Sequence, residues 1–440
     1  MKKNKKSISF VLLIFLVLPQ LNLISFHPFF LMVCLYLAYN FVFYRVPISK
    51  KIFRRAIVLG LLLVTAIASF LYSFSNPMAD AIRDSIYLIY PILMLIIGYI
   101  QMLKFKDVKV ILKTIIVAAV ILSLIHLGKL IINPTVLSGT IRDIRLALGN
   151  GYTLTVIALG IMIYSKRYNL DIIKKRSTKF WFILLCLSSL VLSLSRTLPI
   201  MLAIFVICLG WRSLPKRTKI RLYKRNIHLK ISVSIFALLL FGLIMIPVSQ
   251  TSAYSQLSDK FLNSLSEVHI EEYRTIQDIN HNWRGYEAYR ALIEYDNFDP
   301  VQKVIGGGLG KLVDLNMTIM LAGKVYREVP IIHNGYMYIL VKTGALGIIL
   351  YLYFLFTVVK DGFNFQRNAL KKNDKLLGRL MISAGISVLI TTYINTGMYK
   401  PESAYEYLLL IGSLYGYLHL EKQKQHQTNN EVGENETNIA

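Results

Sequence analysis

Acidic residues, cysteine and charge in general are scarce in this 440-residue chain, and each shortage narrows what it can be. Charged residues make up 17% against 55% hydrophobic residues, and the mean hydropathy is +0.52. A globular core of this length needs far less apolar material, so the surplus belongs against lipid. The three cysteines, Cys34, Cys186 and Cys208, lie inside apolar runs, where they act as small hydrophobes and imply neither disulfide nor metal. No histidine and carboxylate spacing fits a metal site, so the expected chemistry uses no metal and no cofactor. Alternating strand patterns of the kind that build membrane barrels are missing as well, which leaves helices as the means of crossing a bilayer.

Acids number 24 against 50 lysines and arginines, a formal net charge of +26. Nucleic acid as a partner is excluded by where the cations sit. Of the 50, 34 fall in seven stretches: before residue 8, in 45–55, 104–109, 166–179, 212–230 and 360–379, and in the tail. These are alternate loops between apolar runs, which is the positive-inside pattern, and anionic lipid head groups are sufficient partners for them.

Apolar runs near the roughly 20 residues that cross a bilayer core recur throughout. They fall at 8–26, 28–44, 56–75, 82–103, 108–132, 146–164, 180–195, 197–211, 231–249, 331–358, 380–397 and 404–420. The first run is not expected to be a cleaved signal, because no Ala-x-Ala site follows it and the next apolar run begins at once. The expected fold is therefore an all-α, polytopic membrane protein of about 12 transmembrane helices. Both termini would be cytoplasmic, which puts every basic stretch on that side. Residues 1–249 would hold helices one to nine, 250–330 a large extracytoplasmic loop, 331–420 the last three helices, and 421–440 a disordered, Asn-, Gln- and Glu-rich tail. The loop carries 8 Lys and Arg against 11 Asp and Glu, so it lacks the basic bias of the other side. Glu267 to Tyr295 has helical composition, and Asp299-Pro300 and Gly306 to Gly310 mark turns.

Candidate functional residues gather on the expected outer side. Arg196, in Ser195-Arg196-Thr197, has apolar helices on both flanks, where a cation either snorkels to the interface or meets an anion. Arg142 and Arg145 occupy a short outer loop that the positive-inside rule disfavours, beside Asp143; a solvated loop is the plain alternative. Arg284 stands amid the aromatics of Trp283-Arg284-Gly285-Tyr286. Guanidinium groups suit pyrophosphate, because the planar donor fork binds two oxygens and never loses its charge. His333-Asn334-Gly335-Tyr336 opens an apolar helix. An imidazole there suits proton transfer or donation to phosphate, the helix-start N–H groups favour an anion, and a simple polar cap is the alternative. The glycine run 306–310 is no phosphate-binding P-loop, since Lys311 is followed by Leu312 and no strand precedes it.

Taken in order, these elements resemble the O-antigen ligase and polymerase superfamily. Ser195-Arg196-Thr197 is similar to its Ser-Arg motif between two central helices. Arg284 with Tyr286, Tyr289, Ala291 and Leu292, then Gly306 to Gly310, resembles its arginine and aromatic helix before a glycine-rich turn. His333-Asn334, then Leu340, Gly344 and Gly347, resembles its His-Asn, double-glycine helix. The resemblance covers residues 140–358 by motif and the rest by expected topology. It departs in the glycine turn, which often holds an aromatic in the family.

The resemblance implies a metal-independent glycosyltransferase in the cell membrane that takes a glycan from a polyprenyl-pyrophosphate donor. Arg196 and Arg284 would neutralise the diphosphate leaving group, His333 would orient or deprotonate the acceptor hydroxyl, and Arg142, Arg145 and Asn334 would support the pyrophosphate. The implied partners are the lipid-linked glycan, the bilayer, a flippase and a chain-length regulator. The leading expectation is polymerisation of repeat units for capsule, exopolysaccharide or O-antigen. The alternatives are a ligase that moves the glycan to a lipid, wall or protein acceptor, and a lipid-linked sugar transporter or flippase. Against the last, the chain has no repeat and few polar residues at mid-membrane.

Overall fold

The computed structural model describes residues 8–21, 25–73, 75–149, 151–210, 269–273, 275–321, 324–400 and 404–437. The expected segment at 231–249 and the start of the expected loop lie outside them. In chain order the helices are α1 (Phe10–Val17), α2 (Phe26–Tyr44), α3 (Lys50–Tyr72), α4 (Met78–Phe105), α5 (Val108–Ile132), α6 (Ile141–Leu148), α7 (Thr153–Tyr164), α8 (Arg176–Leu192) and α9 (Thr197–Gly210). After the undescribed stretch come α10 (Ile276–His281), α11 (Trp283–Asp296), α12 (Pro300–Ile305), strands β1 (Val313–Leu321) and β2 (Lys324–Val329), α13 (Gly335–Arg367), α14 (Lys372–Ile394) and α15 (Tyr405–Thr437).

Six of these, α2 to α5, α13 and α14, are long and apolar enough to cross a membrane. A seventh arises if α6 and α7, bent by 78° at their junction, form one broken span. Exposed Phe53, Ile57, Leu61, Val64 and Leu71 run along one side of α3, an apolar stripe that only lipid or another apolar surface can satisfy. The chain is thus built as a membrane-embedded helical protein. Every expected apolar segment among the described residues coincides with a helix, but several are too short or too polar to count as spans. α1 has 8 residues and α8 17, and α15 dilutes its apolar half with Glu406, four tyrosines and His419.

The described residues are mostly helical, consistent with the expected all-α membrane class, with one element the expectation did not include: β1 and β2 form an antiparallel hairpin, with Val313 paired to Val329 and Met320 to Val325. Its signal was a genuine period-two alternation. Val313 and Leu315 are buried and Met317 and Ile319 packed behind them, against Asp314, Asn316 and Thr318 on the other face. Asp314 accepts from Arg327 across the hairpin at 3.2 Å, and that guanidinium holds its carboxyl below the usual carboxylate range. At the C-terminal end, α15 continues as helix to Thr437.

The chain divides into two compact units. The second comprises Leu112–Leu265 with Lys371–Leu376; its described part is the rest of α5 and α6 to α9. Within it α7 packs against α8 and α9, with Gly160 close to Phe205 and Leu209. Ile141, Ile144 and Leu148 of α6 form a small core with Leu194.

The first unit holds α1 to α4, the hairpin and the remaining helices. Its α4 and α15 touch backbone to backbone, because a Cβ on Gly98 would overlap the Leu409 carbonyl oxygen and one on Gly412 that of Leu95. Small residues are how helices approach closely in lipid, where apolar side chains gain little by meeting. α13 is broken at Gly344, whose φ of 65° and ψ of −167° are not helical. The break leaves the Val341 and Lys342 carbonyls without their helical donors. Gly307 N–H, at 2.8 Å, and Gly308 N–H, at 3.1 Å, bond them instead. Asn76 of the α3–α4 link donates to the Gly307 and Leu309 carbonyls at 2.7 and 2.9 Å, and Ser69 donates to that of Gly306.

This seating requires the absence of side chains. A Cβ on Gly344 would overlap the Val304 carbonyl oxygen, and one on Gly306, at φ 89°, the Lys342 and Thr343 backbone. Gly344→Ala and Gly306→Ala should each destabilise by about 3 kcal/mol or more, from left-handed strain plus overlap. Gly60→Ala, in mid-α3 with open space around it, should be neutral or stabilise by up to about 1 kcal/mol. Unfolding midpoints of the purified protein in detergent measure all three.

Candidate active site

The sharpest arrangement in the first unit is at the start of α13. Asn334 caps this helix, its Oδ1 accepting from Tyr336 N–H at 3.0 Å and Met337 N–H at 3.3 Å. His333 therefore stands just before the first turn. It is held from both sides: the Thr396 hydroxyl donates to the Ile332 carbonyl at 3.1 Å, and Gly335 N–H bonds the Asn395 carbonyl at 3.0 Å.

The His333 imidazole faces a carboxylate that the sequence reading did not single out. Glu287, on α11, is 3% exposed, and both its oxygens are engaged. Oε1 accepts the Trp283 indole N–H at 2.7 Å, one turn back on the same helix. Oε2 accepts the His333 backbone N–H at 3.0 Å and lies 2.7 Å from His333 Nδ1. A buried carboxylate already surrounded by N–H donors acts as an acceptor, so Nδ1 carries a proton, and in the neutral imidazole Nε2 has the lone pair. The His333 side chain is half exposed, which leaves Nε2 accessible to a substrate. Carboxylate and half-exposed imidazole have the geometry of the orienter and base of a triad. The available signal for Glu287 was its spacing: on a helix, Trp283, Arg284 and Glu287 share a face.

Arg284 is on that same face, three residues before Glu287, and donates to the Ile394 carbonyl at 3.2 Å. Ile394 ends α14, where the helix dipole is negative, so the dipole orients this guanidinium. Arg284, His333 and Asn334 are thus gathered by α11, α13 and the end of α14. The Tyr286 phenol donates to the Leu315 carbonyl and Arg290 Nε to that of Asp314 at 2.9 Å, which ties α11 to the hairpin.

The other three candidates lie in the second unit, in an arrangement of their own. α8 and α9 are separated by a corner in which Leu194 has φ 47°, a backbone that side chains seldom adopt. Arg145, half-buried on α6, steadies this corner: its Nε donates to the Ser193 carbonyl at 3.4 Å and another guanidinium nitrogen to that of Leu194. Arg196, also half-buried, stands two residues further on. The α6–α7 link packs onto the corner, for a Cβ on Gly151 would overlap Ser193. Arg142 is exposed on the α6 surface, and Asp143 serves the Thr140 capping box at 2.6 Å. Arg145 and Arg196 are therefore brought to one corner, and Arg142 is exposed on α6.

Among the described residues no group of three or more His, Cys, Asp or Glu side chains could hold a metal ion. No family model matches the chain, and no curated protein matches it either.

Glu287→Gln, nearly the same in shape, replaces an acceptor by an amide that can donate to Nδ1. The proton should then move to Nε2, and nitrogen chemical shifts of labelled His333 should change from the Nδ1–H to the Nε2–H pattern. Unchanged shifts would mean that Glu287 does not set the tautomer.

Proposed function

We propose that the chain is a metal-independent membrane glycosyltransferase that joins polyprenyl-pyrophosphate-linked oligosaccharide repeat units on the outer face of the cytoplasmic membrane. The observation that carries this reading is the His333–Glu287 pair, with Arg284 three residues before Glu287 on α11 and bonded to the end of α14: a held imidazole and a held cation on adjoining segments. Base and cation are the two things that transfer from a diphosphate needs. In the step itself, an acceptor hydroxyl oxygen attacks the anomeric carbon of the donor. The acceptor's proton passes to His333 Nε2 as the new C–O glycosidic bond forms. The bond from that carbon to the pyrophosphate oxygen breaks, and its electron pair leaves with the polyprenyl pyrophosphate. Negative charge grows on the leaving group, and a preoriented guanidinium stabilises it without reorganising. The proton on His333 then returns to solvent.

The resemblance of the motifs to the O-antigen ligase and polymerase superfamily supports the same reading. It also assigns Arg196 to the pyrophosphate, with Arg142 and Arg145 as further contacts; the bracing of the Ser193–Leu194 corner by Arg145 supports that share locally. The proposal includes the twelve-crossing topology with cytoplasmic termini, and a flippase and chain-length regulator as working partners. The distribution of lysines and arginines supports the orientation, because alternate loops carry them.

Purified protein given lipid-linked repeat units should produce glycan ladders. His333→Ala and Arg284→Ala should each slow this by about 100-fold or more, the usual scale for a lost base or charge-stabilising donor, while the protein elutes as folded material. Transfer of a single glycan to an acceptor without ladders would identify a ligase. Movement of lipid-linked sugar across vesicles with no new glycosidic bond would replace the proposal by transport.

A further inference from the structure

A buried charge cluster in the first unit lies outside the machinery above. Asp84 of α4 is fully buried and Lys342 of α13 is 1% exposed, and their Nζ–Oδ2 distance is 2.6 Å. Both helices are candidate membrane spans, where an ion pair is costly to keep. Apolar residues of equal volume would serve stability as well, so a lipid-embedded pair calls for something that apolar packing cannot supply.

That something is directional bonding. Besides Lys342, Asp84 Oδ2 accepts the Gly310 N–H at 2.8 Å, while Oδ1 accepts the Tyr338 hydroxyl at 3.1 Å and Arg83 at 3.4 Å. Arg83 is balanced in turn by Asp80 at 2.5 Å. Lys342 Nζ also donates to the Lys311 carbonyl, and the Lys311 side chain pairs with Glu294 of α11 at 2.6 Å. Tyr338 and Lys342 are one turn apart on the piece of α13 between its start and the break at Gly344. One carboxylate thus fastens α4 to the glycine turn and to the short helical piece that begins beside His333. Through Lys342 and Lys311 the fastening reaches α11, which carries Glu287.

We propose that Asp84 and Lys342 are positioning residues for His333: they register the first turns of α13 against α11 so that the imidazole meets Glu287. The inference deepens the transfer reading above and rests on it for any effect on rate, but its geometric part is testable without activity.

The test is the full-length double variant Asp84→Asn/Lys342→Met, which is neutral and similar in volume. Its thermal midpoint and elution establish that it is folded. Amide exchange at 307–310 and 335–343 should rise by about tenfold or more, and labelled His333 should lose the fixed Nδ1–H signal of the wild type. If transfer is observed, kcat should fall by about 10- to 100-fold with donor KM within about threefold, because misplacement of about 1 Å costs on that scale. A bare ion pair would be rescued by the swap Asp84→Lys/Lys342→Asp. A carboxylate that also accepts from Gly310 and Tyr338 would not, so restored exchange protection in the swap overturns the proposal. So does a folded double variant with unchanged exchange and an unchanged His333 signal, or one with full kcat where the wild type is active. If the wild type forms no glycosidic bond, the transfer reading falls, and the exchange and imidazole results still decide this one. Should the double variant not fold, Tyr338→Phe removes one bond to Asp84. It should raise exchange in the same segments by about two- to fivefold, and no rise overturns the proposal.

Discussion

A backbone carbonyl in an apolar surrounding must find a donor within the protein, and the break in α13 obeys that constraint. With Gly344 out of helical geometry, the Val341 and Lys342 carbonyls would face lipid or packed side chains unbonded, each at a cost of several kcal/mol. The Gly307 and Gly308 amides fill both places. The segment between α11 and the hairpin is consequently part of the helical framework, stitched in by Asn76, Ser69 and Asp84 as well. Three of the four glycines in 306–310 are explained by proximity to backbone: α13 at Gly306, the end of α3 at Gly308 and the start of α4 at Gly310 leave no room for a Cβ.

The same stitching explains how the Glu287–His333 pair can be assembled from segments 46 residues apart in the chain. α11 presents Glu287 through a helix too polar to be stable by propensity alone, and its buried side holds it in place: Tyr286 and Arg290 bond the first strand, and Ala291 joins a core with Phe298, Val313, Leu315 and Ile332. α13 presents His333 at a capped end. Neither element would hold its residue to within the tenths of an ångström that proton transfer requires without the turn that separates them in sequence and joins them in space.

Much of this was legible from residue order, and the parts that were not have physical reasons. Apolar runs located the helices, because burial in lipid imposes one composition on all of them; the same signal does not separate spans from shorter apolar helices such as α1. The hairpin escaped notice because its alternation covers only one strand clearly, in a chain where long apolar runs dominate every window. His333 and Arg284 stood out as polar residues beside apolar or aromatic neighbours. Glu287 did not, because an acid in a loop that holds 11 of them has no distinguishing context until its partner is known. Asp84 and Lys342 carry no signal of their own in the sequence. Their meaning lies wholly in each other, 258 positions apart, and no local pattern carries such a pairing.

Trp283 gives the site an optical property. It is one of three tryptophans in the chain, and its indole N–H is bonded to the carboxylate that holds the imidazole. Indole emission responds to charge near the ring, so an event that changes the proton on His333 or draws Glu287 away shifts the emission of Trp283, one of the three indoles that make up the chain's signal. The molecule therefore contains a built-in reporter, read by light rather than by product formation, of the moment when something occupies the half-exposed side of the imidazole.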